Sequence, residues 1–134
     1  VPADSTLALQ EAIVAALKAS SPIGSLIADR VYDRPPQDVV FPYISLGPEQ
    51  AEPFDAQLLD GWDVSLQIDT WSRKPGRVEA RQIMTAIAGA LHDQPLAVSG
   101  HAFVMGRMTM QTTMNDPDGV TVHGVQKFRF ITHA

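Results

Sequence analysis

Apolar residues along the chain follow two rhythms, one of helices and one of strands. Leu9, Ile13, Ala16 and Leu17 recur at helical spacing behind Asp4 and Ser5. Either of those two side chains can accept from the orphan N–H groups of a first turn. The run should stop near Ser20, Ser21 and Pro22, because proline cannot continue a helix. Residues 23–28 leave room for one further turn. A second helical face, Ala80, Ile83, Met84, Ile87 and Leu91, steps by threes and fours and ends at about His92.

Between the two helical faces the period changes to two. Trp62, Val64, Leu66 and Ile68 alternate with Asp63, Ser65, Gln67 and Asp69, which predicts a strand with one buried and one wet face. Arg34, Pro35 and Pro36 make a stiff bend. Pro42, Tyr43, Ile44, Ser45, Leu46 and Gly47 then read as a short strand entered at a proline and left at a glycine. Residues 102–114 read as another strand. Asn115, Asp116, Pro117, Asp118 and Gly119 supply a hairpin turn, and residues 120–132 return as the last strand. The expected fold class is α+β, with two helices packed on one face of a largely antiparallel sheet of four to five strands. Residues 1–134 read as a single domain.

Residues 48–61 fit neither rhythm. They hold Glu49, Glu52, Asp55 and Asp60 around Phe54, Leu58 and Leu59, and read either as a projecting loop or as a twisted, partly exposed hairpin arm. Connections longer than a hairpin needs usually serve a function. An apolar centre with a charged rim has the composition of an interface. Phe54, Leu58, Leu59, Glu52 and Asp55 are therefore candidate contact residues toward a neighbouring subunit or a tube. Arg73, Lys74 and Arg77 join them as the exposed core of the basic cluster that Arg81 completes.

Composition narrows the chemistry. The chain has no cysteine, which removes disulfides, thiolate metal sites and cysteine nucleophiles together. Net charge is −5, which argues against a general duplex-DNA binder, since such binding rests on Lys and Arg meeting phosphates. Val1, Pro2, Ala3, Asp4 and Ser5 carry no basic region and open no long apolar run, so no secretory signal and no membrane association are expected.

No catalytic constellation emerges. His92 stands at a helix end, where an imidazolium would suit the dipole. His123 and His133 share a strand face but lie too far apart to share a metal, and no H-E-x-x-H spacing exists. The turn around Asp116, Asp118 and Gly119 fails as a calcium loop, because Met114 and Val125 would fall at positions that need oxygen donors. Phosphate loops, dinucleotide fingerprints and G-x-S-x-G elbows are missing. Met108, Met110 and Met114 are expected on one strand face, packed against the helices, with Met105 on the other. No cofactor, no metal and no enzymatic activity are expected.

Several stretches, taken in order, resemble the tail-terminator or tail-completion proteins of long-tailed phages and gene transfer agents. They begin with the helix bearing Leu9, Ile13 and Leu17. Val31, Tyr32 and Asp33 follow, then Pro35 and Pro36, and then the run from Phe41 to Gly47. Thr70, Trp71, Ser72, Arg73 and Gly76 come next, followed by Ala90, Leu91 and His92. Asp116, Pro117, Asp118, Gly119, His123, Gly124, Val125, Phe128 and Arg129 complete the set. The resemblance implies a structural subunit of a hexameric ring that ends the tail tube of a virion or phage-like particle and is assembled in the bacterial cytoplasm. The implied partners are further copies of the chain, the tail tube protein, and a head-completion stopper or neck protein. DNA would pass through the lumen without sequence-specific binding. A stopper or minor tail protein is the nearest alternative, and a small-molecule-binding or hydrolytic α+β domain the more distant one.

Overall fold

The computed structural model describes residues 3–55 and 60–134. Its elements run α1 (Thr6–Ala19), α2 (Ser21–Ile27), β1 (Val31–Tyr32), β2 (Tyr43–Asp55), β3 (Asp60–Ser72), α3 (Val78–Leu91), β4 (Ala102–Asn115) and β5 (Val122–His133). The strands form one sheet in the order β1-β2-β3-β5-β4, antiparallel except for the short β1–β2 pair. An α+β architecture with helices on one face and up to five strands is therefore observed, with α2 a third, short helix.

α1 and α2 are separated by a single residue. Ser20 closes α1 with its N–H on the Leu17 carbonyl, and its side chain accepts from the Ile23 N–H at 3.4 Å to open α2. Pro22 then falls in the first turn, where its missing N–H costs nothing. At the start of α1 it is Asp4 that accepts from the chain, taking the Thr6 N–H at 2.8 Å. Ser5 is diverted from capping: its hydroxyl pairs with that of Thr132 at 2.6 Å and is fully buried, pinning α1 to β5.

The core lies between the helices and one face of the central strands. Leu9, Ile13 and Leu17 of α1, Ile23 and Ile27 of α2, and Ile83, Ile87 and Leu91 of α3 meet Val64, Leu66 and Ile68 of β3 and Phe128 and Phe130 of β5. Ile13, Leu17, Leu66, Ile68, Ile83, Ile87 and Leu91, all expected in the core, are buried.

Three register shifts, one in β2 and two in β4, change what alternation alone predicts. β2 does not end at Gly47. The register slips between Leu46 and Glu49, and pairing with β3 then continues to Asp55 opposite Asp60. Gly47 and Pro48 occupy the slip, where a missing N–H and a missing side chain are tolerated. Residues 48–55 and 60–61 are thus the two strands of a long hairpin, the second of the two forms expected for the arm. In β4 the slip between Met108 and Met110 inverts the alternation. Met108 lies opposite Phe128 on the helix side, whereas Met105, Met110 and Met114 lie on the opposite face with Ile131, Lys127 and His123. The expected grouping of Met108 with Met110 and Met114 is therefore corrected, and Met110 and Met114 are exposed rather than packed against helices.

Leu66 and Ile87 face each other across this core with almost no solvent contact. Leu66→Ala and Ile87→Ala should each lower unfolding free energy by about 2–5 kcal/mol, measured by denaturant titration. Losses below about 1 kcal/mol would contradict the two-layer packing.

Candidate functional site

The face of the sheet away from the helices carries most of the polar and aromatic side chains that evolve no core contact. Directly opposed residues of antiparallel strands share a face, so the pairings place Tyr43, Trp71, His123 and Met114 together at one end. They place Gln50, Glu52, Ser65, Asp63, Lys127 and Arg129 toward the other.

The aromatic end is tightly organised. The Trp71 and His123 rings stack at 3.8 Å between centroids, and Tyr43 stacks on the other side of Trp71 at 6.2 Å. Tyr32 and Phe41 meet Tyr43 edge-on. Polar atoms fix the ring planes: the Trp71 Nε1–H donates to Ser45 Oγ at 2.9 Å, and His123 Nε2 lies 2.7 Å from Asp69 Oδ1. The Gln67 amide donates to the same carboxylate oxygen. The Arg73 guanidinium covers Phe41 at 4.1 Å from its centroid, a cation–π contact.

At the charged end Arg129 holds Asp63 through two nitrogens, at 2.9 and 2.7 Å. That fork lowers the Asp63 pKa and raises that of Arg129. Glu49 moves the other way: burial first, then the charges of Asp4 and Asp33, raise its pKa.

The candidate contact residues do not gather into one site. Glu52, Phe54 and Asp55 lie near the tip of the β2–β3 hairpin, while Arg73, Lys74 and Arg77 follow the opposite end of β3. A 13-residue strand separates the two groups, a span of roughly 40 Å. Leu58 and Leu59 lie outside the described residues. Glu52 is exposed and accepts from the Gln50 amide at 3.0 Å. Phe54 is half-buried: it sits opposite Gly61, and a Cβ at Gly61 would come within 2.9 Å of its ring. The ring thus packs on its own sheet instead of standing free as an anchor. Lys74 and Arg77 are exposed. Arg73, besides covering Phe41, donates to Thr121 Oγ1 at 3.3 Å and so ties its turn to the β4–β5 hairpin.

His92 and His123 have structural partners. His92 Nδ1 accepts from the Met108 N–H at 2.9 Å, and the neighbouring Asp93 N–H donates to the Gly106 carbonyl at 2.9 Å. An accepting Nδ1 places the ring proton on Nε2, which faces Asp93 at 3.2 Å. His92 thus ties the end of α3 to the outer edge of β4. Among the described residues no three His, Asp or Glu side chains converge on a metal-sized point. Among the described residues no helix is long and apolar enough to cross a membrane.

Comparison with known proteins places this geometry. Residues 11–133 match the family described as Tail completion protein gp17. The chain is 31% identical over 123 residues to the tail completion protein gp17 of Bacillus phage SPP1, covering 92% of this chain and 90% of that one. The solved structure of bacteriophage SPP1 gp17 superposes with a TM-score of 0.67 at 29% identity, over 94% of this chain and 89% of the other. A chain from the virion of a native gene transfer agent particle shares the fold more closely, with a TM-score of 0.90 at 22% identity over 99% of this chain and 100% of the other.

Two local features can be tested directly. A Cβ at Gly61 would collide with the Thr132 backbone carbonyl. Gly61→Ala should therefore loosen the β3–β5 pairing near the hairpin tip and lower thermal stability, whereas an unchanged melting temperature would refute that close approach. Asp118 accepts from Thr121 and Val120, and these bonds hold its pKa at about 2, below the usual 3.8. A depressed carboxylate pKa contributes stability above its unfolded value and loses it as pH falls through the folded one. Amide protection at Val120 and Thr121 should therefore persist below pH 3.8 and disappear as pH approaches about 2. Loss of protection well above pH 3.8 would contradict the turn geometry.

Proposed function

The chain belongs to the tail completion protein gp17 family, and on that premise we propose that it works as one subunit of a ring, six copies in number, that closes the tail tube. The ring would stop tube growth, offer its far side to a neck or head-completion protein, and let DNA through its centre. The observation that carries this reading is the family match, which spans residues 11–133 and so takes in every strand and most of α1. Physical features support it. A ring needs a heterologous contact, one surface of each copy meeting a different surface of the next. The candidate contact groups at the hairpin tip and around Arg73, Lys74 and Arg77 lie at opposite ends of the sheet. A net charge of −5 lets a polyanion pass without general attraction.

A structural role also accounts for the concave surface between α1, α2 and α3. Its walls include Ala16, Leu26, Ala86 and Ala90, and its polar members are hydroxyl and amide side chains such as Ser20 and Gln82. No ionisable side chain lines it. Catalytic clefts instead gather ionisable groups with perturbed pKa values.

The test is genetic and structural. Particles produced without this chain should show tails of uncontrolled length, or tails and heads that fail to join, and supplying the chain should restore joining. Normal, complete particles in its absence would refute the proposal.

A further inference from the structure

The two outer strands of the sheet are each covered over part of their length. On β2, β1 pairs with Ile44 and Ser45. From Leu46 to Phe54, among the described residues, no hydrogen bond links the outer side of β2 to another element. On β4 the coverage is the α3–β4 connection: Asp93 binds the Gly106 carbonyl and His92 binds the Met108 N–H. Past Met108 the outer side of β4 is likewise unpaired among the described residues, and Met110 and Met114 are 43% and 45% exposed. Each edge therefore presents one uncovered stretch, residues 46–54 on β2 and residues 110–115 on β4.

We infer that these two stretches pair with each other between neighbouring copies, the uncovered part of β4 in one copy receiving the uncovered part of β2 in the next. The inference rests on the ring reading and names its contact. Strand direction is the first support. β2 and β4 run in opposite directions, because β2–β3, β3–β5 and β5–β4 are all antiparallel. Rotation about an axis near the strand direction keeps each strand's sense, so β4 of one copy meets β2 of the next antiparallel. The alternation of the sheet then continues across the contact.

Charge is the second support. Residues 46–54 carry Glu49 and Glu52 and no cation, whereas residues 110–115 carry no charge and are flanked by Arg107 and by Lys127, the partner of Met110. Two β2 edges would set like charges opposite each other, which is unfavourable. A β2–β4 contact relieves this and brings the acids toward the cations. Pro48 and Pro53 lack N–H groups, so they limit the registers in which β2 can be extended and act against indiscriminate pairing.

Geometry is the third. By the pairings, the β2 stretch lies level with residues 61–68 of β3, and the β4 stretch level with residues 67–72. Their centres differ by about 5 residues, or roughly 17 Å along the strands, while four strands are roughly 19 Å wide. Joining copies through these stretches therefore tilts the strands by about 40–45° to the ring plane's normal, within the range that closed barrels require. An unstaggered pairing would instead bring the β1-covered and His92-covered stretches against their partners.

The absence of cysteine makes the contact accessible to cross-linking. Thr112 of β4 and Gln50 and Glu52 of β2 are exposed on the same sheet face, so Thr112→Cys is combined with Gln50→Cys or with Glu52→Cys. Particles assembled with each double variant are treated with a short bis-maleimide, and the mass of the untreated assembly is measured in parallel. The expected result is a ladder of linked copies from at least one double variant and none from the single variants. Dimers from Thr112→Cys alone would show β4 meeting β4 and overturn the inference. A multi-copy assembly with no ladder from either pair would overturn the strand contact while leaving the ring intact. One copy per particle would remove the ring and the contact together.

Discussion

The helix-facing side of the two central strands is the surface that the rest of the molecule is arranged to cover. Val64, Leu66, Ile68, Phe128 and Phe130 are each 4% exposed or less. Apolar surface of that extent requires a second layer, supplied by α3 and flanked by α1 and α2. Because β3 and β5 pair along their length, from Gly61 opposite His133 to Ser72 opposite Val122, they occupy the interior of the sheet. β4 is thereby left at one edge, and β2 next to the other, where the two-residue β1 covers only its start. The packing of the core thus determines which strands have backbone to offer a neighbour.

Each outer strand is also guarded. An exposed edge invites uncontrolled pairing, and natural sheets blunt it with prolines, charges or a covering segment. β2 carries Pro48, Pro53, Glu49 and Glu52, and β1 closes its beginning. On β4 a histidine ring and one backbone amide take the place of a strand. Partial guarding of this kind suits a protein that stays separate until it meets its own copies in the right orientation.

Much of this was legible in the sequence, for reasons that also explain what was not. Ile13, Leu17, Ile83, Ile87 and Leu91 announced their helices through spacing alone, and Val64, Leu66 and Ile68 announced β3 by alternation, because a buried face imposes a period on its own element. A bulge has no such local signature. Gly47 and Pro48 look like the end of a strand, and only the partner strand reveals that pairing resumes at Glu49. The bulge after Met108 likewise sends Met110 and Met114 to the face opposite the one alternation assigns. Contacts between distant segments, such as Trp71 stacked on His123 or His92 accepting from Met108, depend on the sheet order and leave no pattern in either segment. The candidate residues were correctly read as exposed at Glu52, Lys74 and Arg77, but Phe54 found a place over Gly61 that the linear chain did not suggest.

The family match identifies a tail completion protein, and the proposed ring would give the uncovered sheet edges their use. The most direct measurement is an image reconstruction of the assembled particle in which every copy of this chain is located. The account predicts a closed ring of copies at the head-proximal end of the tail tube, with tube protein on one side and neck protein on the other. A single copy, an open helical array, or a position away from the junction of tail and head would contradict it.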